Sequence, residues 1–401
     1  MYTCLFQSSA WKRRGSPIVG DASGAGFGTS VTLSSDASAL AIGASDHNDD
    51  TGYVKIYRVD DDGGGYSVQI GQTLNGDATD DYFGYSVDMT PDGTTVICGS
   101  PAFSGGYVRV YSLEGDIDLG TDNWKQIGQD IVGEANGDEF GYSVSISEDG
   151  ETIAIGAPNN DGSNGVNSGH VRMYRLSDDG TTWVKIGQDI DGTAVYDWFG
   201  YSVSLSADGS TVAIGAPYND SNGNEDSGRV NVYRIDEGGS SWERLGQSID
   251  GVNVNDYFGW SVSLTPDGNT LAIGTWGGGY VKVFSLSSGT WNQFGQGVGG
   301  GGSYSFGYSV SLSDDGRTLA VGAPNADGKN GVESGIVKIY RMSDAETKWI
   351  LMGDDIDGVA TGDLSGYSVS LSADGTKVAI GSPWNNDNGI NSGHVRVFAW
   401  D

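Results

Sequence analysis

Cysteine, histidine and basic residues are all scarce in this 401-residue chain. Two cysteines make no disulfide framework and are too few to indicate a redox compartment. Cys98 stands where another repeat has Ile214, a core position, and Cys4 lies outside the repeats. The three histidines, His47, His170 and His394, show no metal spacing, and no serine sits on a nucleophile-elbow pattern. The chain is therefore read as not an enzyme. A glycan-directed hydrolase using paired carboxylates ranks third among the functional readings. No apolar run nears the roughly 18 residues of a membrane-spanning helix, so direct membrane insertion is not expected. Helical periodicity is absent as well.

Lysine and arginine number 21 against 53 aspartates and glutamates, a net charge of −32. Such a surface repels nucleic acid and anionic membranes. It suits cations, basic partners, or plain solvation. The N-terminus, M-Y-T-C-L-F-Q-S-S-A-W-K-R-R, has a short apolar part with its positive charges after it, which is not a signal-peptide pattern. The chain is read as intracellular or as a piece of a longer one.

Glycine is abundant, 67 residues, and recurs at fixed positions. Residues 197–217 read D-W-F-G-Y-S-V-S-L-S-A-D-G-S-T-V-A-I-G-A-P, a pattern found seven times in varying states of preservation. Its Phe-Gly pair falls at Phe27-Gly28, Phe83-Gly84, Phe140-Gly141, Phe199-Gly200, Phe258-Gly259 and Phe306-Gly307, and the seventh copy reads Ser365-Gly366. The spacings are 56, 57, 59, 59, 48 and 59 residues, so one structural unit repeats along the chain.

In the fourth copy, Phe199, Tyr201, Val203 and Leu205 alternate with Gly200, Ser202, Ser204 and Ser206. That predicts a strand with a large face and a small one. The serines are read as packing residues that let neighbouring units come close. Asp208-Gly209 marks a tight hairpin. Thr211–Ala216 is the second strand, ended by Pro217; residues 229–234 are the third and residues 242–249 the fourth. Seven units of four antiparallel strands predict an all-β, seven-bladed β-propeller. Fourth strands begin with Tyr66, Trp124, Trp183, Trp242, Trp291 and Trp349, and the last unit lacks one. Residues 11–18, beginning at Trp11, are predicted to complete it and close the ring, which removes open sheet edges. Residues 1–10 are then an overhang, and residues 11–401 are one monomeric propeller domain.

These residues resemble the FG-GAP repeat, known from the seven-bladed propeller of integrin α subunits. The Gly-Ala-Pro triplet stands at Gly156-Ala157-Pro158, Gly215-Ala216-Pro217 and Gly322-Ala323-Pro324. The resemblance implies a cell-surface or extracellular binding and adhesion platform. Its calcium loops, of D-x-D-x-D-G type, are absent here: the corresponding hairpins carry little more than Asp149-Gly150, Asp208-Gly209 or Asp315-Gly316. One such aspartate cannot supply the six to eight oxygens that Ca²⁺ takes.

Strand direction places the second-to-third loops and the blade-to-blade connections on one acidic face. Loop residues Asp161, Tyr218, Asp220, Trp276, Asp327, Trp384 and Asp387 are the candidates for a ligand or partner. Asp46, Asp49, Asp81, Asp138, Asp197, Asp256 and Asp363 are weaker candidates for a metal, Ca²⁺ being the hard cation that such oxygens suit. The competing reading is structural, since Asp and Asn satisfy loop N–H groups. The leading function is a non-catalytic scaffold that binds a protein through this face. The alternative is a cation-dependent, lectin-like module that binds glycans.

Overall fold

A computed structural model describes residues 10–58, 68–115, 122–300 and 305–401. The second strand of each repeat is its most apolar stretch and its most regular element. The seven are Ala39–Ala44, Thr95–Ser100, Thr152–Ala157, Thr211–Ala216, Thr270–Thr275, Thr318–Ala323 and Lys377–Ser382. Neighbouring blades cover both faces of each, so both faces are apolar. First and third strands flank it in antiparallel register, as in Val203↔Ile214 and Ile214↔Asn231. Seven sheets of this kind form a seven-bladed propeller.

The ring closes as predicted. Trp11–Val19 pairs antiparallel with His394–Trp400, from Trp11↔Trp400 to Val19↔His394. Ala10 exchanges backbone hydrogen bonds of 2.9 and 3.2 Å with Asp401, so the expected overhang is one residue too long. Residues 1–9, Cys4 among them, and Tyr66 lie outside the described residues.

Two strand boundaries differ from expectation. The first strand is Ser202–Leu205, not residues 199–205. Trp198 and Gly200 both have positive φ, +53° and +91°, and fold Phe199 out of the ladder. Phe199 instead bridges Gly169 of the preceding blade. Its equivalent Phe140 is fully buried between Val108 and Val110 of the second blade and Val144 and Ile153 of the third. The fourth strand is two short pieces, Trp242–Arg244 and Ile249–Asp250, both paired with Arg229–Ile235. Gly246, at φ +79°, breaks it and sends Gln247 to the next blade. There the Gln247 amide donates to Trp291 O at 2.7 Å and accepts from Trp291 N at 3.0 Å. The Trp291 indole donates to Leu245 O at 2.9 Å.

The serines do more than pack. Ser202 Oγ donates to Gly259 O of the next blade at 2.8 Å, and six equivalents do the same around the ring. Ser204 Oγ accepts from Leu264 N of the next blade at 3.0 Å. Ser206 Oγ donates to the turn carboxylate of Asp208 at 2.7 Å. Thus each serine in S-V-S-L-S has its own bond. No helix among the described residues is long and apolar enough to cross a membrane.

Candidate binding face

The connection carboxylates are built into the backbone of their own turns. Asp197 is buried and accepts from Thr193 N at 3.0 Å, Ala194 N at 2.8 Å and the Asn219 amide at 2.9 Å. Asp363 repeats this with Val359 N, Ala360 N and Asn385. Asp81 takes Asp77 N, Ala78 N and the Tyr107 hydroxyl. Asp138 takes Ala135 N and the Asn160 amide, and Asp256 takes Asn253 N and the Tyr280 hydroxyl. Asp46 accepts from Ser45 Oγ at 2.7 Å, and burial, with the Asp50 charge adding to it, raises its pKa. Asp49 sits at a loop tip with φ +56°. Among the described residues no three His, Cys, Asp or Glu side chains converge on a metal-sized site. The turn aspartates do not fit integrin-type calcium loops either: Asp208 is taken up by Ser206 Oγ, Ser210 N and Ser210 Oγ.

The long loops are braced in the same way. Asp161, Asp220 and Asp327 each accept the N–H six residues on, from Asn167, Asp226 and Glu333, at 2.9–3.0 Å. Asp387 bonds His394 Nδ1 at 2.9 Å. Asn164 and Asn330 reach to Gly192 O and Gly358 O of the following connection, at 2.7 and 2.6 Å. At the tips the backbone is pinned too. The carbonyls of Phe103, Val166, Val332 and Ile390 accept from Gly137, Tyr196, Gly362 and Gly24 at 2.8–3.0 Å. Those four side chains project into solvent, 76, 48, 61 and 75% exposed. Sequence reasoning passed over them because a lone apolar residue in a polar loop carries no pattern until the repeats are superposed.

Two of the three predicted loop aromatics come together. Trp276 stacks on Trp260, with centroids 5.2 Å apart and planes at 26°. Tyr257 joins Trp276 to Tyr218 at 5.2 and 5.1 Å, and Tyr218 meets Trp198 at 4.4 Å. Trp384 stands apart in the seventh blade, 47% exposed. Trp198 and Tyr257 were missed, although an aromatic directly before Phe-Gly was a legible signal. Trp260 also belongs to a ring around the propeller axis, with Tyr85, Tyr142, Tyr201, Tyr308 and Tyr367, one from each of blades two to seven. Successive centroids lie 4.5–5.6 Å apart. Burial raises the pKa of these tyrosines and keeps them neutral. Beside Trp276 is a cleft of about 490 Å³, lined by Gly277, Ser305, Asn325, Asp327, Val332 and Glu333. It brings together two predicted residues, Trp276 and Asp327.

The histidines lie in blades one, three and seven, and burial lowers the pKa of His170 and His394. Third-strand cations pair with acids: Lys55 with Asp21, Arg109 with Asp77 and Asp130, Arg172 with Glu134 and Asp189, Lys338 with Asp355. Arg396 differs: the closing strand brings Pro17 where the second, third and sixth blades bring Asp130, Asp189 and Asp355. Its guanidinium turns toward Ser365, the residue standing for phenylalanine, and donates to Ser365 Oγ at 2.8 Å and Asp357 O at 3.0 Å. Burial pushes its pKa down to about 10.

Three stretches, residues 133–174, 190–233 and 357–398, match the FG-GAP repeat. They fall on the third, fourth and seventh blades. No curated protein matches the sequence. Among solved structures, the chain is similar to a proposed 6-phosphogluconolactonase from Bacteroides uniformis, with TM-score 0.59 and 15% identity over 82% of this chain and 85% of that one. It is similar to hydrazine synthase from Kuenenia stuttgartiensis, with TM-score 0.54 and 16% identity over 92% and 95%. A functionally unknown protein from Desulfotomaculum acetoxidans gives TM-score 0.53 and 15% identity over 83% and 89%. Identities this low, among 833 matching chains, speak to the fold alone. The chain is a seven-bladed β-propeller that carries FG-GAP repeats at three places along its length.

Proposed function

We propose that this propeller is a non-catalytic platform that binds a basic-surfaced protein through its long-loop face. The observation that carries the reading is the set of exposed apolar tips, Phe103, Val166, Val332 and Ile390, at corresponding positions of four blades. Singly exposed apolar residues are common on surfaces, and it is their recurrence at one loop position of four blades, on pinned backbone, that supports the reading. Their order before binding lowers the entropic cost of docking. Around them lie Asp161, Asp220, Glu225, Asp327 and Glu333, on a chain of net charge −32. Charge of this sign speeds and selects the approach of a basic partner. Adhesion at a cell surface, implied by the integrin resemblance, is the setting that this role suits.

The test compares the wild-type propeller with the double variant Phe103→Ser, Ile390→Ser. Proteins retained from the native cells are identified and then retested singly by surface plasmon resonance. A direct partner should lose at least about tenfold in affinity in the variant, and its association rate should fall as salt rises. A partner whose binding is indifferent to the tip substitutions would overturn the reading.

A further inference from the structure

The fifth blade breaks the repeat. Its second and third strands are joined by residues 276–279 alone, whereas the fourth and sixth blades carry loops of about eleven residues. The short loop leaves a wall of the sixth-blade loop uncovered, and the cleft of about 490 Å³ is the space beside it. Trp276 forms one side and is 39% exposed. Its ring is held rigid by Trp260 stacked against it and by Tyr257 at its flank. Most of the cleft's other lining residues are polar. Asp327 spends one carboxylate oxygen on Glu333 N at 3.0 Å, and the Asn325 carbonyl oxygen accepts from Ser305 Oγ at 2.8 Å. The other Asp327 oxygen and the Asn325 amide nitrogen have no hydrogen-bond partner among the described residues.

We propose that this cleft is a carbohydrate subsite, in which a pyranose ring lies on Trp276 while its hydroxyls bond Asp327, Glu333 and Asn325. One face of a pyranose is a plate of C–H groups, weakly positive and apolar, and it matches the negative face of an indole. The hydroxyls at its rim donate and accept, which two carboxylates and an amide can answer in full. The volume lies in the lower part of the range of small-molecule pockets, about 300–1,000 Å³, and suits one or two sugar rings. Tyr257, Tyr218 and Trp198 continue the aromatic surface away from Trp276 at spacings of 4.4–5.2 Å, so a longer glycan has a path across the fourth and fifth blades. The cleft shares Val332, Asp327 and Glu333 with the long-loop face but contains neither Phe103 nor Ile390, so Trp276→Ala tests this proposal while the Phe103 and Ile390 substitutions test the other.

The test is titration of the intact chain with methyl glycosides of glucose, galactose, mannose, fucose and N-acetylglucosamine, followed by saturation-transfer NMR and calorimetry. A glycan array extends the panel to oligosaccharides. At least one probe should bind, with its ring C–H protons saturated most strongly. Trp276→Ala should weaken that binding by at least about tenfold, Trp276→Phe by less, and Asp327→Asn by several-fold. Phe103→Ser should leave it unchanged, and unaltered melting temperatures would show that the variants are folded. Silence across panel and array, or binding indifferent to Trp276→Ala, would overturn the proposal. So would a cleft that takes a lysine-rich peptide and no sugar.

Discussion

Asp189 lies in a contest between burial and charge. Burial works to raise its carboxyl, but the hydrogen bonds and charges of Arg172 and Lys185 outweigh it and hold it at about 2, below the usual 3.8. The folded-state pKa is depressed, so the contribution to stability is full above about pH 4 and is lost as pH falls toward about 2. Asp189→Asn should therefore be less stable than the native chain at neutral pH, with the two denaturation midpoints converging between about pH 4 and about pH 2. A gap that stays constant across that range would mean the carboxylate acts by shape and not by charge. The serines teach a related lesson at this scale. Ser202, Ser204 and Ser206 share a residue type and a face in the sequence, yet one donates to the next blade, one accepts from it and one closes its own turn. Alternation shows which way a side chain points, whereas the partners of Ser202 and Ser204 come from a blade 57 and 60 residues away.

The outer strand is the element on which ring closure depends. Trp11–Val19 occupies the place of a fourth strand, and its indole donates to Met352 O of the sixth blade at 3.1 Å, as Trp183 donates to Ile127 O. Without it, His394–Trp400 becomes an open edge and the seventh blade loses the Trp11 bond to the sixth, keeping only its inner-strand contacts such as Ser309 Oγ to Gly366 O. Deleting residues 1–20 should convert one cooperative thermal transition into a broad or multiphasic one, read by calorimetry. An unchanged transition would mean that the closing strand adds nothing to cooperativity. The existence and place of this strand were legible from Trp11 and from the missing fourth strand of the last copy. Its partial mismatch was not, since Pro17 leaves Arg396 without the carboxylate that Arg172 finds in Asp189. The division of the fourth strands was also hidden, because it depends on a left-handed glycine whose cost is recovered only when Gln247 reaches Trp291.

For the whole molecule, the acidic charge is spread over loops whose carboxylates are already occupied. Asp81, Asp138, Asp197, Asp256 and Asp363 hold backbone N–H groups of their own turns, and a cation would have to displace them. Millimolar Ca²⁺ added to chelator-treated protein should shift the melting temperature by less than about 1 °C. A larger, saturable rise would show that these loops rearrange around the ion. Seven in-phase copies of one pattern determined the propeller from sequence, because a unit that cannot bury both faces alone must stack on its like. They also determined which face carries the acids, since strand direction alternates by necessity. Only the tertiary structure decided which of those acids are bound up in turns, and that Trp276 and Asp327 line one cleft while Trp384 stands apart. Such pairings join residues of different blades, and their geometry follows from ring closure and from one shortened loop, which no local pattern encodes.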